Sequence, residues 1–383
     1  MTQYKLAFVI ERYFEFGGLQ RDMRRFAVTC AQAGHAVTFF TSRWDGPQEP
    51  LLKIEIVNFQ MGSNHGTIKK MARFVRTLRQ KNTFDCITGF NRVGGLDVYF
   101  GGDVCLKAKL LLQHKMWLRF LPRYFTYLRL EAAALGPKTQ TDIMLISPIE
   151  VSAIQALYQT PSDRIYLLPP GIDRNRLTKN PLTHEQRDSF RENLGVGKDD
   201  FLVLTVGSSF RTKGIDRVIH AIANLPEELK KRCRYAVVGK GDAVKFQAWA
   251  RKAGIADRVV FTGGRRDISN FYHAADVLVH PARTETTGAA LLEAMVTGLP
   301  VIVTSNCGYA SHIQKAFGGL VCPEPFEQKN LNLALKDILE NDPQRAQYGK
   351  NAFEYCKTAE IYSMIEEGVK VIISRAEKNR GER

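Results

Sequence analysis

The 383-residue chain has few cysteines and no long apolar run. Its seven cysteines are odd in number, form no C-x-x-C pair and do not cluster with histidine at the spacing of a zinc site. This pattern favours a reducing compartment and predicts no structural metal. The first residues lack the apolar core of a signal peptide, and no run of about 18 apolar residues occurs. We therefore expect a cytoplasmic protein that does not span a membrane.

Acidic residues are also scarce, since 39 aspartates and glutamates stand against 54 lysines and arginines, which gives a formal net charge of +15. A balance this basic favours anionic partners such as phosphates, membrane surfaces or nucleic acid, without choosing among them. The chain also exceeds the size of one ordinary hydrophobic core, so two domains are expected.

Residues 104–130 contain no acidic residue, although six basic residues lie there among leucines and aromatics. Such a mixture in a helical stretch is typical of a surface that rests on an anionic bilayer. Pro122 should divide the stretch into two short helices. The alternatives are a helix that packs its apolar side on its own domain, and nucleic-acid binding, which no accompanying motif supports. We predict membrane contact through Lys107, Lys109, Lys115, Trp117, Arg119 and Arg123.

The rest of the chain alternates apolar strands with amphipathic helical segments, in a first run from residue 5 and a second from residue 201. This alternation is typical of doubly wound parallel sheets, which bind ligands at the carboxyl ends of their strands. The PPGID motif, residues 169–173, continues neither helix nor strand, so a domain boundary is expected near residue 171, with an irregular polar stretch to residue 200. The C-terminal part is predicted to be helical, with a frayed polar tail.

The segment HPARTETTGAALLE, residues 280–293, follows a strand and opens a helix. Glu285 lies in the loop and Glu293 two turns into the helix, so both carboxylates lie near one helix start. The free N–H groups of a first helical turn suit a phosphate or a sugar hydroxyl. A loop carboxylate can accept from sugar hydroxyls, and one inside the helix can accept from a ribose diol. The structural alternative is a helix-start acid and a solvated helix residue.

Two glutamates at this spacing after an HP strand end resemble the nucleotide-sugar motif of retaining glycosyltransferases of family four. The resemblance implies the α/β GT-B fold, in which two Rossmann-like domains face each other across a substrate cleft. It implies an acceptor domain at residues 1–171, a nucleotide-sugar domain at residues 172–357, and a C-terminal helix, residues 358–383, that crosses back to the first domain.

The resemblance also assigns the donor site. Gly17 and Gly18 correspond to the glycine loop beside the donor phosphates, although a plain tight turn gives the same pattern. Lys213 corresponds to the lysine that neutralises the donor diphosphate, and such cations are needed because no metal site is visible; the alternative is an exposed loop lysine. The remaining donor contacts are Arg176, Arg211, Thr286, Thr287, Gly288, Ala289 and Glu293. Arg265 is expected to contact the nucleotide because it lies in a strand-to-helix loop at the ligand-binding edge of the second sheet.

The chemistry of a retaining transferase passes through an oxocarbenium-like state, so stabilisation of the leaving diphosphate should dominate. Lys213 and Glu285 are the principal catalytic candidates. Asp103, within GLDVYFGGDVC, is a candidate acceptor contact or base, and Asp22 is a second acceptor contact. Either aspartate could instead be a helix-start acid. No carboxylate pair flanks a glycosidic bond, so transfer is favoured over hydrolysis.

Within the family, RYFEFGGLQRDMRRFA, GFNRVGGLDVYFGGDVC and CGYASHI resemble the members that add glucose to the inner-core heptose of lipopolysaccharide. The resemblance covers nearly the whole chain. It implies UDP-glucose as donor, the phosphorylated inner-core heptose as acceptor, and a peripheral position on the inner face of the cytoplasmic membrane, with no nucleic acid.

Three departures bear on the donor sugar. Glu15 stands where proline is expected, Thr212 replaces an arginine, and Thr286-Thr287 replace small apolar residues. A different UDP-sugar or lipid-linked acceptor is therefore the first alternative. The others are a GT-B epimerase of UDP-N-acetylglucosamine, for which acid/base residues across the sugar are not located, and a membrane- or nucleic-acid-binding protein with a degenerate cleft.

Overall fold

The computed structural model describes residues 2–15, 17–174, 177 and 182–382, and it divides the chain into two compact units. One unit comprises Met1–Pro170 with Ser363–Arg383, and the other comprises Gly171–Tyr362. The chain thus leaves the first unit after Pro170 and rejoins it at Ser363.

The strands and helices of the described residues alternate through both units. The strands are β1 Lys5–Val9, β2 Tyr13–Phe14, β3 Ala36–Thr41, β4 Trp44–Asp45, β5 Lys53–Ile56, β6 Cys86–Gly89, β7 Val98–Gly101, β8 Asp142–Leu145, β9 Ile165–Leu167, β10 Phe201–Val206, β11 Cys233–Val238, β12 Val259–Gly263, β13 Val277–His280, β14 Val301–Thr304 and β15 Gly319–Cys322. The α-helices are α1 Gly18–Gln32, α2 Asn64–Lys81, α3 Leu106–Leu112, α4 Pro122–Leu135, α5 Pro148–Tyr158, α6 His184–Glu192, α7 Phe210–Lys213, α8 Ile215–Ala223, α9 Glu227–Arg232, α10 Ala243–Lys252, α11 Ile268–Ala274, α12 Ala289–Val296, α13 Ala310–Ala316, α14 Gln328–Glu340, α15 Asp342–Thr358 and α16 Met364–Gly381.

The first unit is built on a sheet with the strand order β5-β3-β1-β6-β7-β8-β9. Neighbouring strands are parallel throughout. Because successive side chains of a strand point to opposite faces, Phe8 joins one hydrophobic core and Ala7 and Val9 join another. Both faces are covered by helices, as a parallel sheet requires.

The second unit repeats this plan with the strand order β12-β11-β10-β13-β14-β15, again parallel. Alternate residues of β10 face two separate cores. Leu202 and Leu204 pack with Leu291 and Leu292 of α12, while Val203 packs with Ile215 of α8. The central strands β10 and β13 are neighbours, so the loops that follow them start from the same edge of the sheet.

The last helix, α16, belongs to the first unit. Ile372 and Ala376 are fully buried in its core. Arg375 forms a buried ion pair with Asp142, in which Nε lies 2.6 Å from Oδ2. Asn379 donates to the carbonyl of Asp85 at 2.9 Å. The helix therefore continues to Gly381, and the prediction of a frayed tail is wrong.

The stretch between residues 171 and 200 is less irregular than expected, because it contains helix α6. Thr183 and Gln186 form a reciprocal capping box at its start, which satisfies two backbone donors. Arg191 in the last turn is buried and donates to Asp276 at 3.0 Å and to the carbonyl of Ala274 at 2.8 Å. The T-x-x-Q signal was present in the sequence, but the polar composition around it concealed the helix.

A new helix begins at Pro122, as predicted, but the basic segment forms three helical pieces instead of two, because α3 already ends at Leu112. Helix α3 is followed by a 3₁₀ helix at Met116–Phe120, and Pro122 occupies the first turn of α4, where its missing N–H costs nothing. Within the described part of the chain, no helix combines the length and the apolar character needed to cross a bilayer.

Candidate functional site

The segment from β13 to α12 forms a tight loop that ends at Gly288. This residue caps α12 in a left-handed conformation, with φ of 86°, that favours glycine. A Cβ at this position would also lie 2.6 Å from Cys307 Sγ. Glycine is therefore required here both by the turn and by the thiol packed beneath it.

Glu285 is paired with Lys213 in the structure. The Lys213 ammonium donates to Glu285 Oε2, and the two side chains are only 18% and 14% exposed. Lys213 lies after β10 and Glu285 after β13, so the pair bridges the loops of two adjacent strands. The alternative of an exposed loop lysine does not apply.

The pair strongly favours the ionised form of Glu285. Burial by itself would raise the pKa of this carboxyl, but the nearby His280 imidazole and the Lys213 ammonium outweigh it and lower the pKa from the ordinary 4.5 to about 2. His280 Nε2 lies 3.5 Å from Glu285 Oε2. The imidazole is fully buried, and this burial lowers the pKa of His280. His280 therefore faces the site as a neutral ring at neutral pH.

The loop that carries Glu285 is held by the segment after β14. The amide of Gly308 donates to the Glu285 carbonyl at 3.1 Å, and the amide of Tyr309 donates to the Thr287 carbonyl at 2.8 Å. Asn306 Nδ2 donates to the carbonyl of Arg283 at 2.9 Å. These bonds fix the backbone on both sides of Glu285.

The second glutamate of the motif, Glu293, is buried in α12 at 2% exposure. The hydroxyl of Tyr272, from α11, donates to Glu293 Oε2 at 2.6 Å. Tyr272 is itself 1% exposed. Glu293 is thus not a solvated helix residue, and its carboxylate is oriented from a neighbouring helix.

The other donor candidates of the second unit occupy different surroundings. Thr286 is buried, and Thr287 and Ala289 are half-buried beside it. Arg211 is exposed. Arg265 is exposed and donates to both oxygens of Asp267, at 2.8 and 2.7 Å. Arg176 lies outside the described residues.

The candidates of the first unit lie at two strand-to-helix turns. Gly17 and Gly18 are at the start of α1, as expected for a glycine turn that opens a helix. Asp22 follows in that helix, with Oδ1 3.8 Å from Arg25 Nη1. Asp103 is exposed in the turn between β7 and α3, and its carbonyl accepts a 2.6 Å hydrogen bond from Arg92.

A buried polar network lies under the Asp103 turn. Glu131, which is 1% exposed, accepts from Arg92 Nη1 at 2.7 Å, from the backbone amide of Leu106 at 2.7 Å and from the Tyr158 hydroxyl at 2.5 Å. Glu150 accepts from the amide of Cys105 at 2.8 Å. The network ties the first turn of α3 to α4, and sequence reasoning did not foresee it because these residues are far apart in the chain.

Across the residues that the structure describes, no three His, Cys, Asp or Glu side chains gather as they would around a metal ion.

Comparison with known proteins identifies the class. Residues 186–355 match the family model described as glycosyl transferases group 1. The lipopolysaccharide glucosyltransferase WaaG of Escherichia coli (strain K12) is 38% identical over 367 residues, which cover 96% of this chain and 98% of that protein. The D-inositol 3-phosphate glycosyltransferase of Xylanimonas cellulosilytica is 30% identical over 209 residues, 53% of this chain and 49% of that protein.

Solved structures agree with this result. The crystal structure of WaaG, described as a glycosyltransferase involved in lipopolysaccharide biosynthesis, matches with a TM-score of 0.90 at 38% identity, covering 96% of this chain and 99% of that one. Anabaena HepE in complex with UDP-glucose shares the fold, with a TM-score of 0.73 at 17% identity, covering 97% of this chain and all of that one. The chain is therefore a glycosyltransferase of the GT-B class and belongs to the glycosyl transferases group 1. The predicted family and fold are confirmed.

The Tyr272 hydroxyl should stabilise the fold measurably. Tyr272→Phe leaves the buried Glu293 carboxylate without this donor, so we expect the free energy of unfolding to fall by about 1.5–3 kcal/mol. Tyr235→Phe is a matched control, because its buried hydroxyl donates at 2.9 Å to a neutral partner, the Thr205 hydroxyl; it should cost about 0.5–1.5 kcal/mol. Urea denaturation measures both, and a smaller loss for Tyr272→Phe than for Tyr235→Phe would contradict the assignment.

The Lys213–Glu285 pair should give stability a specific pH dependence. Because the pKa of Glu285 is lowered on folding, the ionised pair stabilises the protein fully above about pH 4.5, and this stabilisation is lost as the pH falls towards about 2. The stability difference between the parent and Lys213→Ala should therefore be largest at neutral pH and shrink in acid. Urea midpoints across this range test it, with the exposed Lys329→Ala as the control that should show no such trend. A difference that stays constant in acid would refute the pairing.

Proposed function

We propose that this enzyme is a retaining glycosyltransferase that moves glucose from UDP-glucose to the inner-core heptose of lipopolysaccharide without a metal ion. The observation that carries the proposal is the Lys213–Glu285 pair at the carboxyl edge of the second-unit sheet. There a cation and an acceptor-only carboxylate lie next to the start of α12, which together suit a sugar diphosphate.

The residues of this site support transfer by leaving-group stabilisation. The bond between the anomeric carbon and the diphosphate oxygen breaks, and UDP departs with the electron pair. Lys213 neutralises the charge that develops on the diphosphate. The acceptor hydroxyl attacks the same face of the anomeric carbon, and its proton passes to the departing phosphate oxygen. Glu285 accepts from donor-sugar hydroxyls, and Glu293 from the ribose.

The proposed substrates rest on the E. coli relative, which matches this chain nearly end to end and is a lipopolysaccharide glucosyltransferase. Thr286 and Thr287, beside Glu285, differ from the small apolar residues expected near the donor sugar and are the positions that would change the sugar accepted. A different nucleotide sugar would keep the mechanism and change only the specificity.

We further propose that residues 104–130 rest on an anionic membrane surface. Large apolar side chains are exposed there, including Leu112 at 74%, Trp117 at 62% and Phe120 at 76%. Guanidinium groups lie over the exposed rings, with Arg119 4.9 Å from the Phe120 centroid and Arg129 5.6 Å from the Phe125 centroid. A soluble surface rarely carries so many exposed aromatics, whereas an interfacial one combines them with cations.

Not every basic residue of the segment takes part in this surface. Lys107 turns inward, where its ammonium donates to the Leu157 carbonyl at 3.0 Å and lies 5.1 Å from the Tyr158 ring centroid. The exposed cations at the surface are Lys109, Lys115, Arg119, Arg123 and Arg129.

Transfer itself is tested with radiolabelled nucleotide sugars and lipopolysaccharide truncated at the inner-core heptose. UDP-glucose should label the lipid, and Lys213→Ala should lower the rate by about 10²–10³-fold because a transition-state cation is lost. Glu285→Ala should lower the transfer rate by a similar factor while the protein remains folded. Lys329→Ala serves as the matched control with full activity. Undiminished transfer by Lys213→Ala would remove its role, and labelling by another nucleotide sugar alone would replace UDP-glucose.

Membrane contact is tested by charge reversal. The triple change Lys115→Glu, Arg119→Glu and Arg123→Glu should reduce the fraction of protein that sediments with anionic vesicles. The reduction should be largest at low salt, because the attraction between the protein and the vesicle is then least screened. The control reverses three exposed cations of α2, Lys69, Arg73 and Arg76, and alters the net charge equally. Equal loss in both variants would show that only net charge matters and would contradict a local membrane surface.

A further inference from the structure

The loops that carry Lys213 and Glu285 are joined directly by Arg283. Its backbone amide donates to the carbonyl of Thr212 at 2.8 Å. Its guanidinium Nη1 donates to the carbonyl of Arg211 at 2.7 Å. Arg283 therefore bonds the two peptides that precede Lys213, although it lies two residues before Glu285 in the chain.

The same guanidinium forms a two-pronged ion pair with Asp216, in the first turn of α8. Nη1 lies 2.8 Å from Oδ1 and Nη2 lies 2.5 Å from Oδ2. Asp216 is 8% exposed. Burial alone would raise the pKa of Asp216, but Arg283 outweighs burial and lowers it. A planar fork of this kind fixes orientation as well as distance, which a lysine would not do.

The backbones of the two loops also approach each other closely. Gly214 has φ of 75°, and a Cβ there would lie 2.2 Å from the carbonyl oxygen of Pro281. That carbonyl also accepts from Arg217 Nη1 at 3.0 Å. The two loops thus touch where no side chain fits between them, and Arg217 as well as Arg283 bonds across the contact.

From these contacts we infer that Arg283 and Asp216 are a positioning pair that holds Lys213 at the distance from Glu285 that donor cleavage requires. The inference rests on the proposed function, because it concerns the same reaction. Neither residue needs to touch the substrate. Their effect is exerted through Lys213, whose ammonium must meet the leaving diphosphate.

The first test compares Arg283→Gln and Asp216→Asn with the parent. Misplacement of a catalytic group by about 1 Å can cost about 100-fold in rate, so kcat for transfer should fall by about 10–100-fold. The donor KM should change by less than about threefold, because Lys213 acts mainly in the transition state. The double variant should be no worse than the worse single one, since both changes break one pair.

The decisive comparison repeats Arg283→Gln in the Lys213→Ala background, with residual turnover measured from radiolabelled donor at high enzyme concentration. If Arg283 acts through Lys213, its substitution should cause no further loss there. An equal loss in both backgrounds, or an unchanged kcat in the parent background, would overturn the inference.

A matched control is Arg345→Gln. Arg345 also pairs with an aspartate, Asp342 at 2.7 Å, and donates to a carbonyl, that of Ile338 at 3.0 Å, but it joins α14 and α15 instead of these loops. It should leave kcat unchanged, because it does not touch the loops that carry Lys213 and Glu285. A loss of kcat equal to that of Arg283→Gln would show a merely structural effect and overturn the inference.

A second readout separates this inference from the proposed function. Amide hydrogen exchange of residues 281–287 should accelerate in Asp216→Asn but not in Arg345→Gln, because only the first breaks the junction. If the parent turns over no nucleotide sugar, the proposed function is wrong. Hydrogen exchange then tests by itself whether Arg283 and Asp216 hold the two loops together. Exchange that is the same in Asp216→Asn and the parent would overturn it.

Discussion

The ion pair between Lys213 and Glu285 is the interaction on which the site depends. A carboxylate removed from water is costly unless a cation and hydrogen-bond donors compensate. Here the cation comes from the end of α7, after β10, and the carboxylate from the loop after β13. The cation therefore lies near the carboxylate only when the two central strands pair in their observed register. The ionised state of Glu285 thus depends on the pairing of β10 with β13.

Hydrogen bonds on both sides of the pair hold the backbone that carries it. On one side, the backbone after β14 binds the carbonyls of the Glu285 loop. On the other side, Arg283 and the close approach at Gly214 join this loop to the one that carries Lys213. A loop is ordinarily the most mobile part of a domain, but several backbone groups of this one are hydrogen-bonded to neighbouring segments. Such a loop can present charge to a substrate without reorganising first, which is the condition for electrostatic catalysis.

The sequence predicts the parts of this arrangement that are local. The spacing of Glu285 and Glu293, the strand before them and the helix after them are all readable within one segment, and the family follows from that motif and its neighbours. Partners distant in the chain are not readable in this way. Lys213 and Glu285 are 72 residues apart, and Tyr272 and Glu293 come from different helices. Arg283 carries no local signal of its role, because its partner Asp216 lies 67 residues away in the chain. Helix α6 has a local T-x-x-Q capping signal, but its polar composition does not indicate a helix.

The return of α16 to the first unit has a consequence for synthesis on the ribosome. Helix α16 is translated after the whole second unit. Until then, the apolar face that packs against Ile372 is uncovered and the buried carboxylate of Asp142 lacks its Arg375 partner. The N-terminal unit therefore cannot complete its core while it emerges, even though domains generally fold in the order of their synthesis. A nascent chain would carry an uncovered apolar face while the second unit is synthesised, and α16 would then complete the core of the first unit.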